Sequence, residues 1–352
     1  MAILAFLYLL PRIIDNRHME ENKIILTGIK PTGRPHIGNY LGAIEPALRR
    51  SLNNPNSFFF IPDYHALNNG LPAEEIKRLT HAVAATWIAS GLDSSKQHFY
   101  RQSDIPEIFE LETILNATVP KGWMNKAHAY KAAIDQNIEA KRDIDHDVNM
   151  GLYTYPILMA SDILIFNANQ VPVGKDQIQH VEIARDIAGR FNSKYHTSTF
   201  TLPEHLVEKT VFEVPGVDGR KMSKSYNNFI PLFASEEEWN NAVKKIVTDS
   251  NQEHTHESFK ETTFYKIFSA IANENDTNKI SQQIVDKSIG WKEAKDEMLS
   301  QLVSRFKEKS DIYFDLLNDT NKIDEILKTG AEKIRPIAME TLNNVKATVG
   351  VL

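Results

Sequence analysis

The segment "GRKMSKSYNN" sets Lys221 and Lys224 on either side of Met222 and Ser223, with Ser225 next, in polar sequence that has neither helical nor strand period. Two ammonium groups and two hydroxyls on such a loop suit a triphosphate whose charge must be neutralised as it leaves. Taken alone, the same residues more often make a solvated surface loop. Far upstream, "TGIKPTGRPHIGNYLGAI" spaces Gly28, Gly33, Gly38 and Gly42 so that a ligand can approach backbone. A helix beginning near Asn39 there offers amides and a dipole to an anion. The spacing is not G-x-G-x-x-G and no Gly-Lys-Ser/Thr follows, so dinucleotide and P-loop fingerprints do not apply, and a Gly-rich connection without a ligand is the alternative. The third feature is Asp162, a carboxylate inside the apolar run "YPILMASDILIF" with no Lys or Arg close in sequence. It must be solvated, cap a helix, or meet a donor that its neighbourhood does not supply.

The elements that position these groups are legible from pattern. "KIILTG", "SFFFIPD" and "QHFYRQSD" read as strands, and "NYLGAIEPALRRSL" and "PAEEIKRLTHAVAATWIASGL" as helices, with Pro72 suited to the first turn of the latter. This alternation predicts an α/β fold: a Rossmann-like parallel sheet with helices on both faces and ligands at the carboxyl ends of the strands. Between about 106 and 150 the alternation lapses into polar helical sequence, an insertion between the halves of the sheet. It resumes with "YPILMASDILIF", "NQVPVG" and "DQIQHVEIARDIAGRFN". Beyond Ser223 the periodicity is helical, predicting an all-α C-terminal domain. The expected organisation is an extension over 1–21, a Rossmann-like domain over 22–220 with its helical insertion about 80–150, a mobile loop over 221–229 and a helical domain over 230–352. The extension, "MAILAFLYLLPRIIDNRH", carries an apolar stretch too short to span a bilayer and no cleavage signal, and Met19 is the more natural start.

Composition narrows the chemistry. The chain has 352 residues, 42% hydrophobic and 24% charged, with a formal net charge of −6. That is ordinary for a soluble globular protein of two domains and leaves only local basic patches for a polyanion. With 0 cysteines, disulfides, thiolate zinc sites, iron–sulfur clusters and cysteine nucleophiles are excluded. "DIDHD" and "EHTHE" have metal-ligand residue types but read as solvated loops, and no membrane span is present.

"PHIGN" after the first strand and "KMSKS" after the last resemble the paired signatures of the class I aminoacyl-tRNA synthetases. The likeness runs from about Ile24 to Gly350. "PTGRPHIGNYLGAI", "DYHAL", "YPILMASDIL", "VPVGKDQIQHVEIARDIAGRFN" and "GAEKIRPIA" together resemble the tryptophanyl-tRNA synthetases. Tyrosyl-tRNA synthetases share the fold and both signatures, but usually carry glutamine where Met159 stands.

The resemblance implies ATP as co-substrate with magnesium held mainly by its phosphates, L-tryptophan and tRNA(Trp) as substrates, a homodimer joined through the insertion and dimer region about 80–150, and a cytoplasmic enzyme with its catalytic domain over 22–220. It places Lys30, Pro31, Thr32, His36, Gly38, Asn39, Gly174, Lys175, Asp176 and Lys221 to Ser225 (with Met222, Ser223 and Lys224) around ATP. Of these, His36, Asn39, Lys221 and Lys224, together with Lys131 of the insertion, are the catalytic candidates. It places Tyr155, Met159, Asp162, Val171, Val173, Gln177 and His65 around tryptophan. Indole is donor-only, so Asp162 fixed in an apolar pocket is rewarded by tryptophan and left unpaired by phenylalanine, with Met159 on the same helix face. The missing donor would then arrive on the substrate, and without it Asp162 would be hydrated or bonded to a neighbouring Tyr or Gln. A lone histidine such as His65 at an apolar strand end is more often structural, and Lys131 is as well read as a solvated helix face. Lys30 and Lys175 depart from the glutamine and glutamate common in bacterial members.

Overall fold

The computed structural model describes residues 23–207, 214–248 and 254–352; the extension at 1–21 lies outside them. Five strands form one parallel sheet in the order β3-β2-β1-β4-β5. They are β1 (Ile25–Gly28), β2 (Ser57–Ile61), β3 (His98–Arg101), β4 (Gln170–Pro172) and β5 (Glu204–Leu206). All five residues of β2 are buried, as expected of a parallel strand covered on both faces by helices. β1 pairs with β2 on one side, and on the other meets β4 in register at Ile25 and Gln170. The chain therefore reverses its winding between β1 and β4, and a crevice opens where these strands part.

The β1–β2 crossover is one helical run: α1 (Ile37–Asn39), a π-helical segment (Tyr40–Ile44) and α2 (Glu45–Ser51). α3 (Asp63–Ala66) follows β2, and α4 (Ala73–Ser90) has Pro72 at its N-cap and ends at Gly91. The insertion holds α5 (Glu107–Asn116), α6 (Lys121–Met124) and α7 (His128–Glu139). α8 (Met150–Leu164), capped by Asn149, carries the "YPILMASDIL" block, and α9 (Ile178–Lys194) links β4 to β5. The rest is α10 (Glu236–Lys244), α11 (His256–Lys260), α12 (Thr263–Ile271), α13 (Glu274–Val285), α14 (Trp291–Asn318) and α15 (Thr320–Val349), with no strand among the described residues after Ser223.

Two buried clusters flank the sheet. On one face Phe59, Ile61 and Phe99 pack with α4 and with residues of α10 to α14 such as Trp239, Phe268 and Phe306. On the other, Leu26, Phe58, Phe60 and Tyr100 pack with α5, α8, α9 and with Ala331, Ile334 and Leu342 of α15. α15 thus lies against the sheet's edge strand. A Cβ added to Gly330 would sit 1.7 Å from the Phe99 carbonyl oxygen, so only glycine permits this approach. Arg335 to Glu107 at 2.8 Å and Lys346 to Glu110 at 2.7 Å tie the same helix to α5.

Candidate active site

A cavity of about 620 Å³ occupies the crevice between β1 and β4. Its floor is the carboxyl end of β1 and the β4 turn, from Leu26 to Lys30 and from Val171 to Gly174. One wall is the π-helical and α2 face presenting Gly42, Ala43, Pro46, Ala47 and Arg50; the other is α8, presenting Leu152, Tyr155, Met159, Asp162 and Ile163. The spacing i, i+4, i+7 from Tyr155 aims three of the expected side chains the same way. His65, Asn68, Asn69, Gln177 and His180 add polar groups to the lining, which also takes in Phe60, Pro62, Ala129 and Leu206. Gly28 is part of the floor, and a Cβ there would meet the Phe60 ring at 2.4 Å.

Asp162 is only 1% exposed. Burial raises its carboxyl pKa, while hydrogen bonds from His65 and Gln102 oppose that rise. The His65 ring nitrogen Nε2 lies 3.0 Å from Oδ2, and Gln102 Nε2 donates to Oδ1 at 2.8 Å and to Oδ2 at 3.1 Å. The expectation that the protein supplies no donor is corrected: one comes from α3 and another from the turn after β3, both remote in sequence. The alternative of a glutamine partner is the one the fold realises. His65 accordingly does more than wall the cavity.

At the other end of the α8 face, the Tyr155 hydroxyl bonds Nε2 of His180, and Nδ1 of His180 lies 2.7 Å from Gln177 Oε1. The amide oxygen can only accept, so Nδ1 carries the proton and Nε2 accepts from Tyr155. Burial pushes the Tyr155 hydroxyl up to about 12, so it is a neutral donor. Lys30 reaches Asn69 Oδ1 at 3.1 Å, and burial lowers its ammonium pKa.

The two signature segments meet beside this cavity. Lys224 Nζ donates to the Thr32 carbonyl at 2.9 Å, Ile37 N–H to the Ile230 carbonyl at 3.0 Å and Leu232 N–H to the Pro35 carbonyl at 3.1 Å. Gly33, at φ +92°, has a backbone conformation that L side chains rarely adopt. Met222 is buried, with its sulfur 3.5 Å from where a Gly38 Cβ would stand. His36 and Asn39 form a reciprocal capping box: Asn39 N–H donates to His36 Nδ1 at 3.2 Å and His36 N–H to Asn39 Oδ1 at 3.1 Å. Burial, and then the Lys224 charge, lower the His36 pKa to about 4. His36 is therefore neutral, with Nδ1 committed to the cap.

The cavity brings together Lys30, His65, Tyr155, Met159, Asp162, Val171, Val173, Gly174 and Gln177. Its lining does not include Pro31, Thr32, His36, Gly38, Asn39, Lys131, Lys175 or Lys221 to Ser225. Lys131 is exposed on α7 while its neighbour Ala129 reaches the cavity, and Lys221 is exposed on the loop. The side chain of Asp176 lies outside the described set. Gln102 and His180 were missed at the sequence level. The first signal was available: a polar residue directly after the buried strand "HFYR" sits where parallel sheets place ligands.

A sequence profile described as "tRNA synthetases class I (W and Y)" matches residues 18–307. The chain belongs to this family. The class I synthetase is 46% identical to a tryptophan–tRNA ligase of Neisseria meningitidis over 333 residues, covering 94% of this chain and 98% of the relative. It is 45% identical to that of Pseudomonas putida, covering 93% and 73% of the two chains. Among solved structures, a tryptophanyl-tRNA synthetase from Campylobacter jejuni, complexed with ADP and tryptophan, superposes with a TM-score of 0.84 at 37% identity, covering 93% of this synthetase and 99% of that chain. The five-stranded parallel sheet of this synthetase and its helical C-terminal third are the architecture expected from sequence.

Proposed function

We propose that the chain activates L-tryptophan with ATP to tryptophanyl-adenylate and pyrophosphate, and transfers tryptophan to tRNA(Trp). The observation that carries this reading is Asp162, buried and oriented by His65 and Gln102 at one wall of an apolar cavity at the sheet's switch point. A carboxylate there offers a fixed acceptor to a flat ring that can only donate, and Met159, Val171 and Val173 supply a polarizable apolar surround. The names of the relatives agree with it.

In this reading Tyr155 and Gln177 hold the substrate ammonium, and the substrate carboxylate is presented toward Lys30 for attack on the α-phosphorus. Gly174, Lys175 and Asp176 take the ribose side, and Pro31, Thr32, Gly38 and Asn39 the nucleotide beside them. The His36 Nε2–H, left free by the cap, donates to phosphate. Lys221 and Lys224, with Ser223, Ser225 and Met222 in the loop, stabilise the departing pyrophosphate, and Lys131 approaches from the insertion. Magnesium rides on the ATP phosphates. No covalent nucleophile is needed, because positioning and charge stabilisation suffice. The helices after 230 read the anticodon, and the chain works in the cytoplasm as a homodimer. Exposed Ile138 (58%), Ile144 (49%) and Met150 (69%) on and beside the insertion support that interface.

The test is ATP–pyrophosphate exchange driven by tryptophan or tyrosine, on wild type and Asp162→Ala. Exchange should depend on tryptophan, with the variant failing at limiting tryptophan only. A preference for tyrosine, or an unchanged tryptophan requirement in the variant, defeats the reading.

A further inference from the structure

The two ends of the Gln102 amide are committed in opposite directions. Its Oε1 accepts the backbone N–H of Tyr64 at 3.1 Å, which turns Nε2 toward both oxygens of Asp162 at 2.8 and 3.1 Å. Gln102 is 0% exposed. A flipped amide would strand the Tyr64 N–H and set a carbonyl dipole against a carboxylate. His65, the next residue after Tyr64, approaches Oδ2 from the same short helix. The Tyr100 hydroxyl, which has no hydrogen-bond partner, and Glu112 also lie within electrostatic reach of Asp162.

A carboxylate offers about four acceptor sites. Gln102 and His65 make three contacts to Asp162, so acceptor capacity remains for one more donor. Without the Gln102 amide the buried carboxyl loses its orientation and more readily takes up a proton, and a protonated carboxyl donates as well as accepts.

We propose that Gln102 is a positioning residue for amino-acid selection: it holds Asp162 as an oriented acceptor, so that a ring offering an N–H is preferred over a ring of the same shape that offers none. This rests on the reading of Asp162 as the indole acceptor.

The test is pyrophosphate exchange with tryptophan and with 3-benzothienylalanine, in which sulfur replaces the ring N–H. For Gln102→Met, KM for tryptophan should rise about tenfold with kcat within about twofold, and the kcat/KM preference for tryptophan over the thienyl analogue should shrink about tenfold, as loss of a hydrogen bond to a charged group implies. Gln102→Glu supplies a donor only while protonated, so its tryptophan KM should climb as pH rises from about 5 to about 8. It carries the test if the Met variant fails to fold. Wild-type KM, selectivity and pH profile in the folded variants overturn the proposal. Asp162→Ala separates the two claims: if it erases the preference while the Gln102 variants keep it, only the role of Gln102 falls. If it keeps the preference, the reading of Asp162 falls.

Discussion

Lys224 Nζ and the Thr32 carbonyl are joined at 2.9 Å, which seats the second signature loop on the turn of the first. The ammonium is half-buried, and burial lowers its pKa. A cation held against a neutral carbonyl is ready to exchange that partner for a phosphate oxygen at little reorganisation cost. Lys224→Met should lower kcat for adenylate formation by roughly 100-fold while leaving KM for tryptophan within about threefold, the pattern of a group used in the transition state. Single-turnover adenylate formation measures it, and a change confined to KM contradicts it.

His36 gives a pH signature. Its folded pKa, about 4, lies below the ordinary imidazole value of about 6.5, so the unfolded chain binds more protons between these values. Its contribution to stability is complete above about pH 6.5 and is lost as pH falls toward 4. His36→Asn keeps a side-chain acceptor at the N-cap and removes the titration. Its Tm should therefore fall less between pH 6.5 and 4.5 than that of wild type, and parallel curves by calorimetry would contradict this.

Tyr155, His180 and Gln177 form one chain of hydrogen bonds. Tyr155→Phe removes the donor that fixes the His180 ring, and with it the aim of Gln177. KM for tryptophan should increase about tenfold, in keeping with one lost polar contact and its knock-on. Isothermal titration with tryptophan in the absence of ATP reads the same loss directly.

Gly330→Ala would drive a methyl into the Phe99 backbone. α15 must shift from β3, with a cost of about 1–3 kcal/mol or more for an overpacked contact. Urea unfolding should report a lower midpoint, and an unchanged midpoint would mean the helix slides without resistance.

The sheet, its helical insertion and the helical C-terminal third were legible because buried parallel strands such as "SFFFI" and amphipathic helices write periodicity into sequence. β5 was not. "EHL" is three residues long and mostly exposed, so it carries no apolar run, and only the β4 ladder makes it a strand. The α8 face of the cavity was legible through the resemblance of the "YPILMASDIL" block, with helical spacing adding that Met159 and Asp162 share a face. The bonds that Gln102 and His65 make to Asp162 were not, although His65 was expected in the pocket and Gln102 follows a strand, because sequence distance hides what a parallel sheet brings side by side.

The approach of Gly330 to Phe99 has a bearing on biogenesis. β3 is an outer strand of the sheet, and the helix packed against it is synthesised only after all five strands. A nascent chain already able to pair β1, β2 and β3 still shows a bare strand edge to its neighbours until that helix arrives. Truncation or stalling before that helix is made would release a species able to form a sheet but prone to edge-to-edge association, the state in which a chaperone has most to do.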